Sequence, residues 1–421
     1  MSGYLNKFLN FMDKMYSRKT LRGYPLVKAG PKEGESKGWF AIGGFDIMFL
    51  ILVCVLLTTG IIMMFSASYI SAKYSAKTNY DALYYFKRQA IFAVLGVAVM
   101  LFISKINYNK FRSITPYLMI LSVFLLLLVL VFPAHIEGKE NIKRWLSVPF
   151  VGMTIQPSEI AKFGLIMFLA WSFERHQKII EADRFRATLV YIGIVLAMAL
   201  LVYMEDHLSG AILMAGIGLV ICFLGGGDWR IYAVGILVVG LAVIIGVSAP
   251  EKFIKGYMAE RINSWLVKDY EDIDARWQTN QSLFALGSGG FFGLGLGNSK
   301  QKYLYLPEPQ NDFIFAIVGE ELGFLGCTII IIIFALLVWR GFAIALKSRS
   351  TFGRLLTMGI VTQIGLQVIL NIMVVTDTLP NTGISLPFFS YGGSSLLMLL
   401  AEMGVVLSVS RTSRVNKNFK V

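Results

Sequence analysis

Asp312 is the residue whose position in the sequence most clearly suggests chemistry. It begins the segment DFIFAIVGEELG, after which the chain is almost entirely apolar as far as Trp339. A carboxylate costs a few kcal/mol at the centre of a bilayer and much less at the headgroup boundary. We therefore expect Asp312 either to cap a helix in contact with solvent or to act as a general base that a lipid-borne substrate can reach.

A second group of charges lies in the segment QPSEIAK. Glu159 and Lys162 are three residues apart there and so share one face of a helix. Pro157 suits the start of that helix, and Ser158 suits its N-cap. The pair either neutralises itself so that the helix can enter the membrane, or faces the interior of the protein and serves function. The spacing alone leaves both interpretations open.

Glycines are concentrated in residues 278–312. Bare backbone amides in such a loop can bind a phosphate or pyrophosphate group, but tight turns at a membrane surface explain the same composition. No strand precedes the glycines and no Walker-type lysine and serine follow them, so a soluble nucleotide-binding fold is not indicated. The glycines are Gly287, Gly289, Gly290, Gly293, Gly295 and Gly297.

Two further polar features interrupt apolar segments. Residues 381–395, NTGISLPFFSYGGSS, contain Pro387 and the pair Gly392–Gly393, which break a segment otherwise long enough to span a membrane. Lipid offers the freed backbone groups no hydrogen bonds, which favours the lining of a polar cavity over simple packing. Glu320 and Glu321 are expected to face the interior of the bundle, in a structural or gating role.

The composition places these features in a membrane protein. The chain has 421 residues, of which 56% are hydrophobic and 15% charged, and its mean hydropathy is +0.65. The apolar runs suit a hydrocarbon core about 30 Å thick and lack the alternation of a membrane β-barrel. We predict an all-α polytopic membrane protein with about ten transmembrane helices, at residues 47–66, 90–103, 117–132, 159–173, 188–203, 208–224, 229–247, 313–339, 355–375 and 388–409.

Basic residues set the predicted orientation. The net charge is +13, and lysines and arginines concentrate in the two tails and in alternate loops, which the positive-inside rule places in the cytoplasm. We predict a cytoplasmic tail at residues 1–46, either an interfacial helix or partly disordered, a transmembrane domain at 47–409 and a cytoplasmic tail at 410–421. Residues 249–312 form a large outer loop between helices 7 and 8. Because the charge follows topology, nucleic-acid binding is not expected.

Long motifs connect the chain to a known family. The strings KRWLSVPFVGMTIQPSEIAK, LGLGNSKQKYLYLPEPQNDFIFAIVGEELGFLG and GISLPFFSYGGSS occur in this order. Over residues 47–409 the sequence resembles the SEDS family of shape, elongation, division and sporulation proteins, which includes RodA, FtsW and SpoVE, and GLGNSKQKYLYLPE resembles the FtsW and SpoVE branch more closely. The resemblance implies a peptidoglycan glycosyltransferase of the bacterial cytoplasmic membrane, which polymerises lipid II, a disaccharide-pentapeptide on undecaprenyl pyrophosphate, during cell division or sporulation.

The resemblance also implies roles for single residues. The essential acid of the family corresponds to Asp312, the acid and lysine of its fourth span to Glu159 and Lys162, and a basic–aromatic pair to Arg144 and Trp145. The other predicted substrate-binding residues are Gln281, Ser282, Asn298, Lys302, Glu308, Ser390 and Ser394.

Partners and cofactors follow in the same way. The resemblance implies a class B penicillin-binding protein as partner, together with division proteins, and the chain has no transpeptidase serine motif of its own. Cys54, Cys222 and Cys327 lie in apolar runs and the histidines are scattered, so neither disulfides nor a histidine metal cluster is expected. A divalent cation, Mg²⁺ or Mn²⁺, is the one candidate cofactor, with Asp312 as its predicted ligand.

Two stretches depart from the family pattern. Gln310 and Asn311 stand where the family usually has His-Thr before the acid, and the stretch MEDHLSG places His207 where an EPDLG-like turn usually has an aspartate. The first departure leaves the acid in place. The second removes the basis for carrying a role of that turn over to this chain.

The expected reaction joins a sugar 4-hydroxyl to an anomeric carbon and expels a lipid pyrophosphate. A hydroxyl is a weak nucleophile and needs a base, which we assign to Asp312, while Arg144 and Lys162 offset charge on the pyrophosphate. Glu159 is expected to position Lys162. The alternatives are a lipid II flippase, which should show charges at the middle of its spans where this sequence has almost none, and a scaffold for division proteins.

Overall fold

The structure of the chain, a computed structural model, describes residues 39–41, 43–134, 143–148, 153–248, 265 and 273–412. In these residues β1 (Leu146–Val148) and β2 (Met153–Ile155) form an antiparallel hairpin, with Leu146 opposite Ile155. The α-helices are α1 (Ile47–Lys73), α2 (Tyr84–Lys105), α3 (Phe111–Val131), α4 (Pro157–Arg175), α5 (Gln177–Ala182), α6 (Arg184–Tyr203), α7 (Leu208–Leu224), α8 (Trp229–Ser248), α9 (Ile273–Gly289), α10 (Ile314–Leu346), α11 (Thr351–Val375) and α12 (Gly393–Thr412).

Each predicted span overlaps one of these helices. In the described part of the chain, 7 helices are long and apolar enough to cross a membrane: α1, α2, the segment ending in α3, α6, α10, α11 and α12. Helix α4 is less apolar because charged residues lie at both of its ends, α7 has only 17 residues, and α8 is apolar over Trp229–Val238. The chain is a multi-pass helical membrane protein, and the number of ten crossings stays a prediction.

Helix α11 lies at the centre of the bundle, packed against α10, α4, α7 and α12. Helix α12 also packs along α2. Gln89 of α2 holds the chain just before α12, because its Nε2 donates to the Ser390 carbonyl at 3.3 Å and its Oε1 accepts from the Gly392 amide at 3.2 Å. These contacts join residues that are 301 positions or more apart in the sequence.

A kink at Gly323 divides α10. Gly323 has φ 68° and ψ −170°, which no helix contains and which glycine adopts without steric cost. The kink frees backbone groups, and the glycine-rich loop binds them: the amides of Leu294 and Gly295 donate to the carbonyls of Glu320 and Glu321 at 2.9 and 3.0 Å. In the other direction, the amides of Phe324 and Leu325 donate to carbonyls of the loop at 2.9 and 3.1 Å. The loop therefore supplies hydrogen-bond partners to the backbone groups that the kink frees in α10.

The predicted outer loop at residues 249–312 contains a helix, which the sequence analysis did not predict. Helix α9 fills residues 273–289 and packs against α10. Its amino-acid pattern is only weakly apolar, so the pattern gives little sign of a helix, and contacts with α10 stabilise it. The predicted interfacial helix of the N-terminal tail and the C-terminal tail from residue 413 lie outside the described residues.

Candidate active site

Asp312 lies just before α10, which begins at Ile314 and has Phe313 as its N-cap residue. The N-cap position therefore belongs to Phe313 rather than to Asp312. The carboxylate lies beside Gly383, where an added Cβ would come 3.3 Å from Oδ2. Gly383 has a φ of +75°, so a side chain there would strain the backbone and crowd the carboxylate. Asp312 is half-buried, a position that suits a general base; this role stays a prediction.

Asn371 of α11 fixes the backbone on both sides of this carboxylate. Its Nδ2 donates to the carbonyl of Asp312 at 2.7 Å and to the carbonyl of Ile384 at 2.6 Å. The side chain is fully buried, so both bonds lie away from water and are costly to lose. The sequence analysis missed Asn371. The signal was a single amide in the apolar stretch QVILNIMVV.

Replacing Asn371 with Ala is expected to destabilise the protein by about 1–3 kcal/mol, because two buried carbonyl groups lose their donor. The rate of polymer formation should fall too, since Asp312 is no longer held. Thermal unfolding and initial rates measure the two effects. An Asn371→Asp variant should share the defect, because a carboxylate cannot donate. Thr376→Ala, an exposed change whose hydroxyl bonds its own helix, should change little; wild-type behaviour of Asn371→Asp would contradict the assignment.

Residues 381–395 form the broken segment that the sequence predicted, since the chain is not helical between Val375 and Gly393. Ser390 holds the segment against the residues before Asp312: its Oγ donates to the Asn311 carbonyl at 2.7 Å and accepts from the Leu386 amide at 2.8 Å. The segment lines a small open cavity. This confirms the predicted cavity lining. The other polar residues of the wall include Glu159, Gln363, Gln367, Ser385 and Ser395.

Glu159 and Lys162 pair in the first turns of α4, with Nζ 2.8 Å from Oε1. Lys162 is buried and Glu159 nearly so. Glu159 lines the cavity, and so does Ser390, which bonds the residue next to Asp312. The pair therefore lies in the interior at the wall of the site. Ser158 is not the N-cap residue, because the helix begins one residue earlier, at Pro157 after Gln156.

Arg144 lies just before β1 and reaches the turn between α6 and α7. Its Nε donates to the carbonyl of Asp206 at 3.1 Å, and its Nη2 donates to the same oxygen. His207, in that turn, lies within 3.4 Å of the side chains of Gln156 and Ser158. Burial holds the pKa of His207 well below its usual value, and the charges of Arg144 and Lys162 lower it further. The charges of the two predicted phosphate-binding cations thus both act on His207.

The acids and amides of the glycine-rich loop region bind one another. Glu320 accepts hydrogen bonds from the backbone amides of Lys300 and Gln301 at 2.9 and 3.2 Å and from Ser288 and Ser299 hydroxyls. These amides belong to the loop that we considered as a pyrophosphate-binding site, and they donate their hydrogen bonds to the Glu320 carboxylate instead. The structure favours the interpretation as tight turns, and it confirms that Glu320 and Glu321 are buried.

Lys302 is likewise committed to the protein. Its Nζ donates to Glu321 Oε1 at 2.9 Å, to Ser66 Oγ at 3.0 Å and to the Gly297 carbonyl at 2.6 Å. An ammonium group has three donors, and all three are used here. The structure therefore argues against Lys302 as a substrate ligand and indicates that it holds the loop onto α10.

The other predicted substrate-binding residues lie in several elements of the fold. Gln281 and Ser282 are buried in α9, and Ser282 Oγ donates to the Val375 carbonyl at 2.8 Å, so Ser282 is also committed to packing. Asn298 bonds the Leu294 carbonyl at 3.1 Å in its own loop. For four of the remaining residues the role stays a prediction: Trp145 beside β1, Glu308 near Asn311, Ser390 in the cavity wall and Ser394 in α12.

The divalent cation also stays a prediction. Among the described residues, no group of three or more His, Cys, Asp or Glu side chains could hold a metal ion. A cation at Asp312 would take its other ligands from substrate phosphates, backbone carbonyls and water, as Mg²⁺ commonly does.

Comparison with known proteins identifies the family. The FtsW/RodA/SpoVE model, described as "Cell cycle protein", matches residues 46–415. The chain belongs to the FtsW/RodA/SpoVE family. The resemblance to SEDS proteins is thereby confirmed over the whole transmembrane domain.

Two FtsW/RodA/SpoVE relatives show how complete the match is. The chain is 41% identical over 371 residues to "Stage V sporulation protein E" of Bacillus subtilis strain 168, which covers 88% of this chain and 98% of that protein. It is 36% identical over 376 residues to "Probable peptidoglycan glycosyltransferase FtsW" of Trichlorobacter lovleyi, covering 88% and 94%.

Solved structures of the family show the same fold. The Thermus thermophilus rod shape determining protein RodA is 26% identical, with a TM-score of 0.63 over 88% of this chain and 98% of RodA. A chain from a study titled "Structural coordination of polymerization and crosslinking by a peptidoglycan synthase complex" is also 26% identical, with a TM-score of 0.67 over 87% and 98%.

Proposed function

We infer that this chain is a peptidoglycan glycosyltransferase. The observation that carries the inference is the match along nearly the full length of relatives named as probable peptidoglycan glycosyltransferases. The site is consistent with that activity, because a half-buried carboxylate at the end of an apolar helix borders a segment that lines a polar cavity. We propose that the substrate is lipid II and that the product is a glycan strand.

In the proposed reaction, Asp312 accepts the proton of the acceptor's 4-hydroxyl. The hydroxyl oxygen then bonds to the anomeric carbon of the donor, and the bond from that carbon to the pyrophosphate oxygen breaks. Arg144 and Lys162 supply positive charge to the departing pyrophosphate, which stabilises the transition state because charge grows there. Glu159 keeps Lys162 in place through the 2.8 Å ion pair. Asn371 keeps the backbone of Asp312 in place.

We propose that the protein lies in the bacterial cytoplasmic membrane with both termini in the cytoplasm and the site at the outer surface. The proposed biological role is cell division or sporulation, which the names of the FtsW and stage V sporulation relatives support. The proposed partner is a class B penicillin-binding protein, because a structural relative belongs to a complex that couples polymerization to crosslinking. Division proteins are further proposed partners.

A lipid II flippase is the alternative function, and the names of the relatives favour the enzyme over it. A buried acid in the middle of the bundle bears on the flippase alternative. Glu402, in the middle of α12, is buried and accepts from Gln363 Nε2 at 3.0 Å, so the middle of the bundle does contain a charged residue type. A lack of charged residues in the middle of the spans therefore does not exclude a flippase.

The purified protein in liposomes tests the function directly. Lipid II is added only to the outer leaflet, and glycan product is measured together with the lipid II that reaches the inner leaflet. The enzyme should produce glycan strands without transfer of lipid II. Transfer of lipid II between leaflets without polymer would identify a flippase. If neither polymer nor transfer is observed in the presence of the partner, the scaffold role is supported.

A further inference from the structure

Glu205, in the turn between α6 and α7, is a buried acid without a partner. Its side chain has no exposed surface, and within the described residues neither carboxyl oxygen has a hydrogen-bond partner. Buried polar groups in proteins are nearly always hydrogen-bonded, so each exception needs an explanation. The proposed mechanism does not use Glu205.

The charged group that acts on Glu205 is the Arg144 guanidinium. The same guanidinium donates a hydrogen bond to the carbonyl of the next residue, Asp206. The turn itself contributes Asp206, which is exposed, and the buried His207. Helix α4, which packs against both α6 and α7, contributes the Glu159–Lys162 pair. The positive charge of Arg144 acts on both Glu205 and His207, and that of Lys162 acts on His207.

Burial raises the pKa of Glu205 from 4.5 to about 8, although the positive charge of Arg144 opposes the rise. At neutral pH Glu205 is then a neutral acid beside a cation rather than half of an ion pair. The pKa of His207 is lowered by its burial and by Arg144 and Lys162, so its ring stays neutral over the same pH range. Glu205 is the group of this turn that changes charge near pH 8.

We propose that Glu205 is a positioning residue that acts through Arg144 and makes glycosyl transfer depend on pH. This inference rests on the proposed function, in which Arg144 binds the pyrophosphate of the substrate. While Glu205 is neutral, it adds no negative charge that competes with the phosphates for the guanidinium. When Glu205 loses its proton to solvent, its carboxylate competes for the guanidinium with charge-assisted, bidentate hydrogen bonds, which are about twice as strong as those to a neutral acceptor.

The test compares wild type with Glu205→Gln and with Asp206→Asn, a matched loss of a carboxylate from the exposed neighbouring residue. Initial rates of polymer formation from lipid II are measured from about pH 6 to about pH 9.5. With a pKa of about 8, the neutral fraction of Glu205 falls from about 0.9 at pH 7 to about 0.1 at pH 9. The activity ratio of Glu205→Gln to wild type should therefore rise roughly ninefold over that interval, mainly through KM for lipid II.

Three outcomes decide the proposal. A rising ratio for Glu205→Gln, with Asp206→Asn following wild type, supports it, whereas parallel pH profiles of wild type and Glu205→Gln overturn it. Wild type without polymer at any pH would instead refute the proposed function.

If Glu205→Gln does not fold, the pH dependence of the wild-type melting temperature tests whether Glu205 is buried as a neutral acid. Its neutral form is favoured in the fold, so stability should fall as pH rises from about 4.5 to about 8 and then level off; no such fall overturns the proposal.

Discussion

Replacing Asp312 with Asn is expected to abolish polymer formation from lipid II in a protein that still folds. The amide has the shape of the carboxylate but cannot take a proton, and loss of a general base slows reactions by about 10²–10⁴-fold. The fold should persist, because Asp312 is not the N-cap residue of α10 and its backbone carbonyl keeps its bond to Asn371. The measurements are initial rates with purified lipid II and thermal unfolding in the same detergent.

Glu181→Gln is the matched control for Asp312→Asn. It is also a carboxylate-to-amide change, at an exposed residue of α5 whose partner is Gln177 in the same short helix, so it should polymerise at the wild-type rate. Polymerisation by Asp312→Asn at the wild-type rate would show that the base is another group. Loss of activity together with loss of thermal stability would leave the role of Asp312 structural.

The Lys302–Glu321 ion pair is expected to give the largest effect on stability. Both side chains are almost fully buried, and their charged atoms are 2.9 Å apart. Removing one partner leaves the other charge uncompensated, which typically destabilises a protein by about 3–5 kcal/mol. Lys302→Met and Glu321→Gln should each show a loss of this size in denaturant or thermal unfolding. Polymer formation should fall in parallel, because the loop then loses one of its contacts with α10.

The double variant Lys302→Met/Glu321→Gln separates a structural role from substrate binding. It contains no uncompensated charge, so it should be more stable than the sum of the single losses predicts, by about 0.5–3 kcal/mol. Activity should recover along with stability if Lys302 only holds the loop. Recovered stability without activity would restore Lys302 as a substrate ligand, and strictly additive losses would contradict the coupling itself.

The helices could be predicted from the sequence because apolar runs and breaks are local properties. The Glu159–Lys162 pair followed from its spacing on one helix face, and the break at residues 381–395 from Pro387 and the glycines. The helix α9 could not be predicted in this way. Its stability comes from packing against α10, which the amino-acid pattern of α9 does not display.

The site was harder to predict, because residue type does not reveal the partner. Lys302 was predicted to bind substrate, yet its ammonium group pairs with Glu321 of the same chain. The amides of the glycine-rich loop face Glu320 for the same reason. Asn371 and Glu205 are distant in sequence from the groups they affect, and only the fold shows that Asn371 Nδ2 donates to two carbonyls while both carboxyl oxygens of Glu205 have no hydrogen-bond partner among the described residues.

The contacts of Gln89 with Ser390 and Gly392 have a consequence for biogenesis. Gln89 leaves the ribosome long before Ser390 does, because 301 positions separate the two residues. Ser390 in turn bonds the carbonyl of Asn311, next to Asp312. A nascent chain therefore contains Asp312 before the contacts from Asn371 and Ser390 can form, and the contact from Ser390 forms after the one from Asn371 becomes possible.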